Sequence, residues 1–115
     1  MHNLAHKDFS CLLNMLESIK KIEDYSGRFK NADDFYNETI SFDASLMNFI
    51  VIGEMVDKLS EKFIHETEGQ IDWFKIKGFR NIIAHNYFGI DAEEVWQIIH
   101  GTLQELKENI ELLTK

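Results

Sequence analysis

Proline is absent from all 115 residues, glycine occurs only at positions 27, 53, 69, 78, 89 and 101, and Cys11 is the one cysteine. With so few backbone breakers, long helices are permitted. A single cysteine excludes an intrachain disulfide and a thiolate metal site, and it fits a reducing cytoplasm. Long hydrophobic runs are missing as well. The longest, Phe49 to Gly53, is far short of the roughly 18 residues that a membrane-spanning helix requires. The first residues, including His2, Asn3 and His6, carry no basic region followed by an apolar run, so no secretory signal is expected. Positive charge is scarce: 12 basic residues face 20 acidic ones, a net of −8 at pH 7. That balance argues against a general nucleic-acid binder, which would offer a broad basic surface to phosphates. A nuclease stays possible, since an enzyme needs only a local cationic pocket.

What is present points to a folded helical chain. Hydrophobic residues make up 44% and aromatic residues 12%, well above the composition of a disordered segment. The length predicts one domain over residues 1–115. Phe9, Leu12, Leu13, Leu16, Ile19 and Ile22 recur at three-and-four spacing and predict an amphipathic helix over about residues 3–25, ended at Ser26-Gly27. A polar connector follows, with one short helical turn near Asp33 to Asn37. Phe42, Leu46, Phe49, Ile50, Val56, Leu59 and Phe63 predict a second helix over about 39–64, in which Gly53 allows a close helix crossing. Asp72 reads as the N-cap of a third helix carrying Trp73, Ile76, Phe79, Ile82 and Ile83 and ending near His85, where Asn86-Tyr87-Phe88-Gly89 favours a turn. Asp91 with Glu94 resembles a capping box and opens a fourth helix to the C-terminus through Val95, Ile98, Ile99, Leu103, Leu106, Ile110 and Leu113. The expected fold is all-α, an antiparallel four-helix up-and-down bundle with a short extra helical turn. Trp73 and Trp96 are expected in the core or at a dimer contact.

Residues 80–87, Arg-Asn-Ile-Ile-Ala-His-Asn-Tyr, hold a guanidinium, an imidazole and a phenol within two helical turns. Arginine holds phosphate through a fixed fork of donors, and histidine moves protons near neutral pH, so the set suits phosphodiester chemistry without a metal. Lys75, Lys77 and Arg80 occupy a window, 73–90, that contains no Asp or Glu, leaving 9 cations against 20 acids in the rest of the chain. An anionic substrate has its obvious landing place there, although an ordinary solvated helix face would look the same. At about 100° per residue, Tyr87 falls within about 20° of Arg80 while His85 lies about 140° away; Asn81 and His85 share a face. Convergence of Arg80 and His85 on one phosphate then needs the long arginine arm, unwinding near His85 or a second subunit bringing its own copy, of which the last two are favoured. A helix C-terminus at His85 would favour the imidazolium.

These residues resemble the HepT-like branch of the HEPN superfamily, whose hallmark is an Arg, four intervening residues, a His, one residue and a Tyr, matched here by Arg80, His85 and Tyr87. The wider stretch Gly78 to Asp91 and the upstream Asn48-Phe49-Ile50-Val51-Ile52-Gly53-Glu54 are similar as well. Where the family usually has proline before the position of Trp73, this chain has Glu68-Gly69-Gln70-Ile71-Asp72, a difference that bears on the loop alone. The resemblance implies a homodimeric helical bundle acting as a cytoplasmic, metal-independent and cofactor-free endoribonuclease toxin. Its antitoxin would be a minimal nucleotidyltransferase of the MntA type, the pair forming a type VII toxin-antitoxin system. It further implies that the antitoxin silences the nuclease by adenylylating Tyr87. In this reading Arg80 and His85 are catalytic, Asn81 positions one of them or the substrate, and Lys75 and Lys77 help bind RNA. Glu54 is either a further site residue or the surface partner of Lys58. His2 and His6 lack a third metal ligand. The alternative is a catalytically inactive HEPN subunit that presents substrate or nucleotide to a partner nucleotidyltransferase.

Overall fold

The computed structural model describes residues 4–85 and 89–115, with the backbone alone for 82–85. Seven helical segments make up the described residues: α1 (His6–Ser26), α2 (Ala32–Asn37), α3 (Thr39–Lys58), α4 (Glu61–Thr67), α5 (Trp73–His85), α6 (Ala92–His100) and α7 (Thr102–Leu113). No strand occurs among them. The all-helical class and the short turn after the first helix thus follow the sequence pattern, whereas the second and fourth expected helices are each divided in two.

The first division comes from a serine and an aspartate far apart in sequence. Leu59 is extended, and Ser60 caps α4 by accepting a hydrogen bond from the Phe63 amide at 3.2 Å. Asp8, only 3% exposed, accepts from the Ser60 amide at 2.7 Å and from its hydroxyl at 2.8 Å. One carboxylate therefore holds both donors of the residue where the helix breaks, and a buried charge is tolerated because both of its oxygens are bonded. Leu59 and Phe63 are buried on either side of the break, so apolar spacing continues through it and does not reveal it. The second division lies at Gly101, whose backbone leaves helical geometry and whose missing Cβ would sit 3.2 Å from the Gln97 carbonyl.

Core packing centres on α3, which lies against both α1 and α5. Asp8 meets Ser60 and Asn14 meets Met55, so α1 and α3 run in opposite directions. Leu12, Met15, Ile19 and Ile22 from α1 and Ile52 from α3 are fully buried, joined by Phe35, Leu103 and Ile110. By length and composition α3 is apolar enough to cross a membrane, at mean hydropathy 1.3; what its buried face meets here is α1 and α5. At the other end of α1, Glu23 binds Lys107 at 3.1 Å and Gln104 at 2.9 Å on α7. Phe35 of α2 packs against Phe42 and Trp96, with ring centres 5.1 and 5.9 Å apart, tying α2 to α3 and α6. Trp96 is half-buried and Trp73 fully so. The Cys11 thiol is buried, and burial followed by the nearby Asp8 pushes its pKa up, which makes it a poor nucleophile.

Candidate active site on α5

The N-terminus of α5 is pinned by three bonds. Asp72 caps it by accepting from the Lys75 amide at 3.1 Å. The buried Trp73 donates its indole N–H to the Thr67 hydroxyl at 2.8 Å, and that hydroxyl in turn donates to the Phe63 carbonyl at 2.8 Å. Ile76 and Phe79 then enter the core, and Phe79 meets Phe49 of α3 edge-on with ring centres 5.4 Å apart. One face of α5 is thereby fixed against α3 before the motif begins.

Gly53 sets the distance at the motif itself. A Cβ there would lie 3.0 Å from the Arg80 Cβ and 3.3 Å from both the Arg80 nitrogen and the Lys77 carbonyl. Only a residue without a side chain lets α5 come this near, as the sequence suggested for Gly53. One turn further along α3, Asp57 joins the same contact. Its Oδ2 accepts from Arg80 Nη1 at 3.0 Å and its Oδ1 lies 2.9 Å from Lys77 Nζ. The bond from Lys77, and after it that from Arg80, holds the Asp57 carboxyl below the usual carboxylate range. The cationic window of the sequence is thus met by a carboxylate from another helix.

The structure brings Arg80 and Lys77 together on Asp57 and leaves Asn81 exposed beside them. Lys75, grouped with Lys77 by sequence, instead lines a groove with Thr102 and Glu105 on the α7 side. Glu54 and Lys58 are both exposed, and the described ion pairs do not join them; the acid that reaches the motif is Asp57. The described part of α5 runs to His85; the turn expected from Asn86, the His85 side chain, Tyr87 and His2 lie outside the described residues. No group of three metal-ligating side chains occurs among the described residues. Beyond the motif, Gly89 and Ile90 line a cleft of about 340 Å³ with Tyr36, Phe42 and Asp43. Asp57 escaped sequence reasoning because its partners are more than nineteen positions away. The available signal was its i+4 relation to Gly53, which places both on one face of α3.

The fold and site together are those of an all-helical chain with an arginine held at the surface, five positions before a histidine on the same helix. The chain belongs to the HepT-like ribonuclease family: its model, described as Ribonuclease HepT-like, matches residues 15–113. That membership places the chain among the ribonucleases. It is 34% identical over 105 residues to a Methanocaldococcus jannaschii protein named "Gamma-glutamylcyclotransferase and putative RNase", covering 90% of this chain and 46% of that protein. It is 31% identical over 103 residues to a "Putative RNase" of the same organism, covering 89% and 84%. It is 26% identical over 111 residues to the "Probable ribonuclease HepT" of Thermococcus cleftensis, covering 96% and 97%. The chain therefore spans less than half of the first relative and most of the other two. No solved structure matches it.

Proposed function

We propose that this chain is a metal-independent endoribonuclease toxin whose working site is shared between two copies. The observation that carries the reading is the placement of Arg80, 34% exposed and steadied by Asp57, on the helix that carries His85, in a chain of the ribonuclease family. RNA supplies its own nucleophile. The 2′-oxygen attacks the adjacent phosphorus, a new 2′-O–P bond forms and the P–O5′ bond breaks, giving a 2′,3′-cyclic phosphate and a 5′-hydroxyl. His85 of one copy removes the 2′-hydroxyl proton, and the equivalent histidine of a second copy delivers a proton to the departing 5′-oxygen. Arg80 stabilises the charge that builds on the phosphoryl oxygens, and Asn81 orients the imidazole or the phosphate. The seven segments form an antiparallel four-helix bundle in this reading, with α3 and α4 as one arm and α6 and α7 as another, in a single domain.

The antitoxin is a minimal nucleotidyltransferase acting in the same cytoplasm. The Tyr87 phenolic oxygen attacks the α-phosphorus of ATP and pyrophosphate leaves, so an AMP group becomes attached two residues past His85. Its phosphodiester then competes with RNA for Arg80 and its nucleotide blocks RNA from the site. The test is incubation of the purified chain with RNA in a chelator. Cleavage ending in cyclic phosphate, lost in His85→Ala with the helical spectrum unchanged, is expected; full activity in that variant refutes the assignment. RNA that stays intact under all conditions would instead favour a binding subunit. A mass gain of one or more AMP units on Tyr87, after incubation with the nucleotidyltransferase and ATP, tests the switch.

A further inference from the structure

We infer that Lys77 is the counter-charge of Asp57: it cancels the carboxylate that holds Arg80, so that the guanidinium meets an RNA phosphate with its positive charge intact. This deepens the ribonuclease reading and rests on the role given there to Arg80. Lys77 is then a positioning residue that works through Asp57 and makes no contact with RNA itself.

The carboxylate divides its two oxygens between two cations. Oδ2 of Asp57 accepts from Arg80 Nη1 at 3.0 Å, and Oδ1 lies 2.9 Å from Lys77 Nζ. Lys77 comes three residues before Arg80 on α5, which puts it about 12 Å along the axis from His85 where Arg80 is about 7.5 Å away. Of the two, Arg80 stands nearer the histidine. Among the described residues, Nη1 is the one of its five N–H donors that is bonded. The free edge of the fork can take a phosphate through two parallel bonds while Asp57 keeps hold of the other.

Charge decides whether that edge attracts a phosphate. Arg80 and Asp57 by themselves cancel, and Lys77 restores one net positive charge to the group. A carboxylate and a phosphate on opposite edges of one guanidinium stand about 7 Å apart, and without a counter-charge their repulsion weakens binding by about 3- to 50-fold between the dielectric of water and that of a protein surface. The three side chains are 34% to 46% exposed, so salt reduces this repulsion without removing it. The bond from Lys77, ahead of that from Arg80, is what holds the Asp57 carboxyl below its usual range, which marks the lysine as the carboxylate's main partner. The cations of the acid-free window therefore do different work: Lys77 is spent on Asp57, and Arg80 is left for the phosphate.

The experiment measures binding of a fluorescent single-stranded 2′-O-methyl RNA decamer, which lacks the attacking hydroxyl, over a series of salt concentrations. It compares the full chain with Lys77→Met and with the double variant Lys77→Met plus Asp57→Asn. Methionine keeps the stem without the charge, and asparagine keeps an oxygen for Arg80 without the charge. Lys77→Met is expected to weaken binding about 3- to 50-fold, and addition of Asp57→Asn to recover most of that loss. The double variant is also expected to show the wild-type slope of log affinity against log salt, since the same guanidinium meets the same phosphate. A lysine that touches phosphate directly gives a double variant as weak as Lys77→Met, with a slope shallower by about 0.7; that result overturns the proposal, as does wild-type affinity in Lys77→Met. Cleavage of ordinary RNA separates the two readings. A wild-type chain that cleaves, beside a double variant that fails to recover, removes the counter-charge but keeps the nuclease. Recovery of binding with no cleavage by any form removes the nuclease but keeps the counter-charge, and RNA that the wild-type chain does not bind removes both.

Discussion

Replacing Gly53 by alanine tests the contact on which the position of Arg80 depends. The added methyl would stand 3.0 Å from the Arg80 Cβ, against an ordinary carbon contact of about 3.5–4.0 Å. Either α5 recedes by about 0.5–1 Å or the strain is absorbed locally, at the roughly 1–3 kcal/mol typical of overpacking. Alanine also returns about 1 kcal/mol of helix propensity, so the net loss of stability is about 0–2 kcal/mol. With the role proposed for Arg80, catalysis is the more sensitive readout, because a misplacement of about 1 Å lowers rate by up to about 100-fold. Urea unfolding followed by circular dichroism, beside single-turnover RNA cleavage, measures both. The expected result is a midpoint that is unchanged or lowered by no more than about 2 kcal/mol allows, with cleavage reduced at least tenfold. A gain of about 1 kcal/mol with full activity, the behaviour of an uncrowded helix glycine, would refute the argument.

Three further substitutions probe the framework. Asp8→Ala removes the acceptor of two bonds to Ser60 and is expected to lower stability by about 2–3 kcal/mol, seen as a lower melting temperature; a shift under about 1 °C would contradict the role given to Asp8. Thr67→Val leaves the buried Trp73 indole N–H without its acceptor, at about 1–3 kcal/mol, with an altered tryptophan emission. For Asp57, the folded pKa lies below the unfolded value, so its contribution is complete above about pH 4 and fades as pH falls through the lowered value. Asp57→Asn is therefore expected to be less stable at pH 7 by under about 1 kcal/mol, since the pair is exposed and screened by salt. The difference from wild type should close in acid, and a gap that persists at about pH 2 would count against the pairing.

The helical class, the short α2 turn, the Asp72 and Asp91 caps and the close approach at Gly53 were legible because each is a local signal. Asp91 indeed accepts from the Glu93 and Glu94 amides. The break at Ser60 was hidden because it depends on Asp8, 52 positions away, while Leu59 and Phe63 continue the apolar spacing across it. At the site, Arg80 and Lys77 were visible as cations, but the carboxylate that gathers them was not. Charge patterning along one helix says nothing of what a neighbouring helix contributes. Lys75 and Lys77, adjacent in a charge count, lie about 200° apart around α5 and serve different surfaces.

The contact of Gly53 and Asp57 with Arg80 also limits how far this motif is portable. Grafting Arg80 through Tyr87 onto another helix would transfer the reactive groups without the notch that lets the helix sit close or the carboxylate that aims the guanidinium. The smallest transplantable unit spans two helices: a glycine and an aspartate one turn apart on the first, and Arg80 on the second.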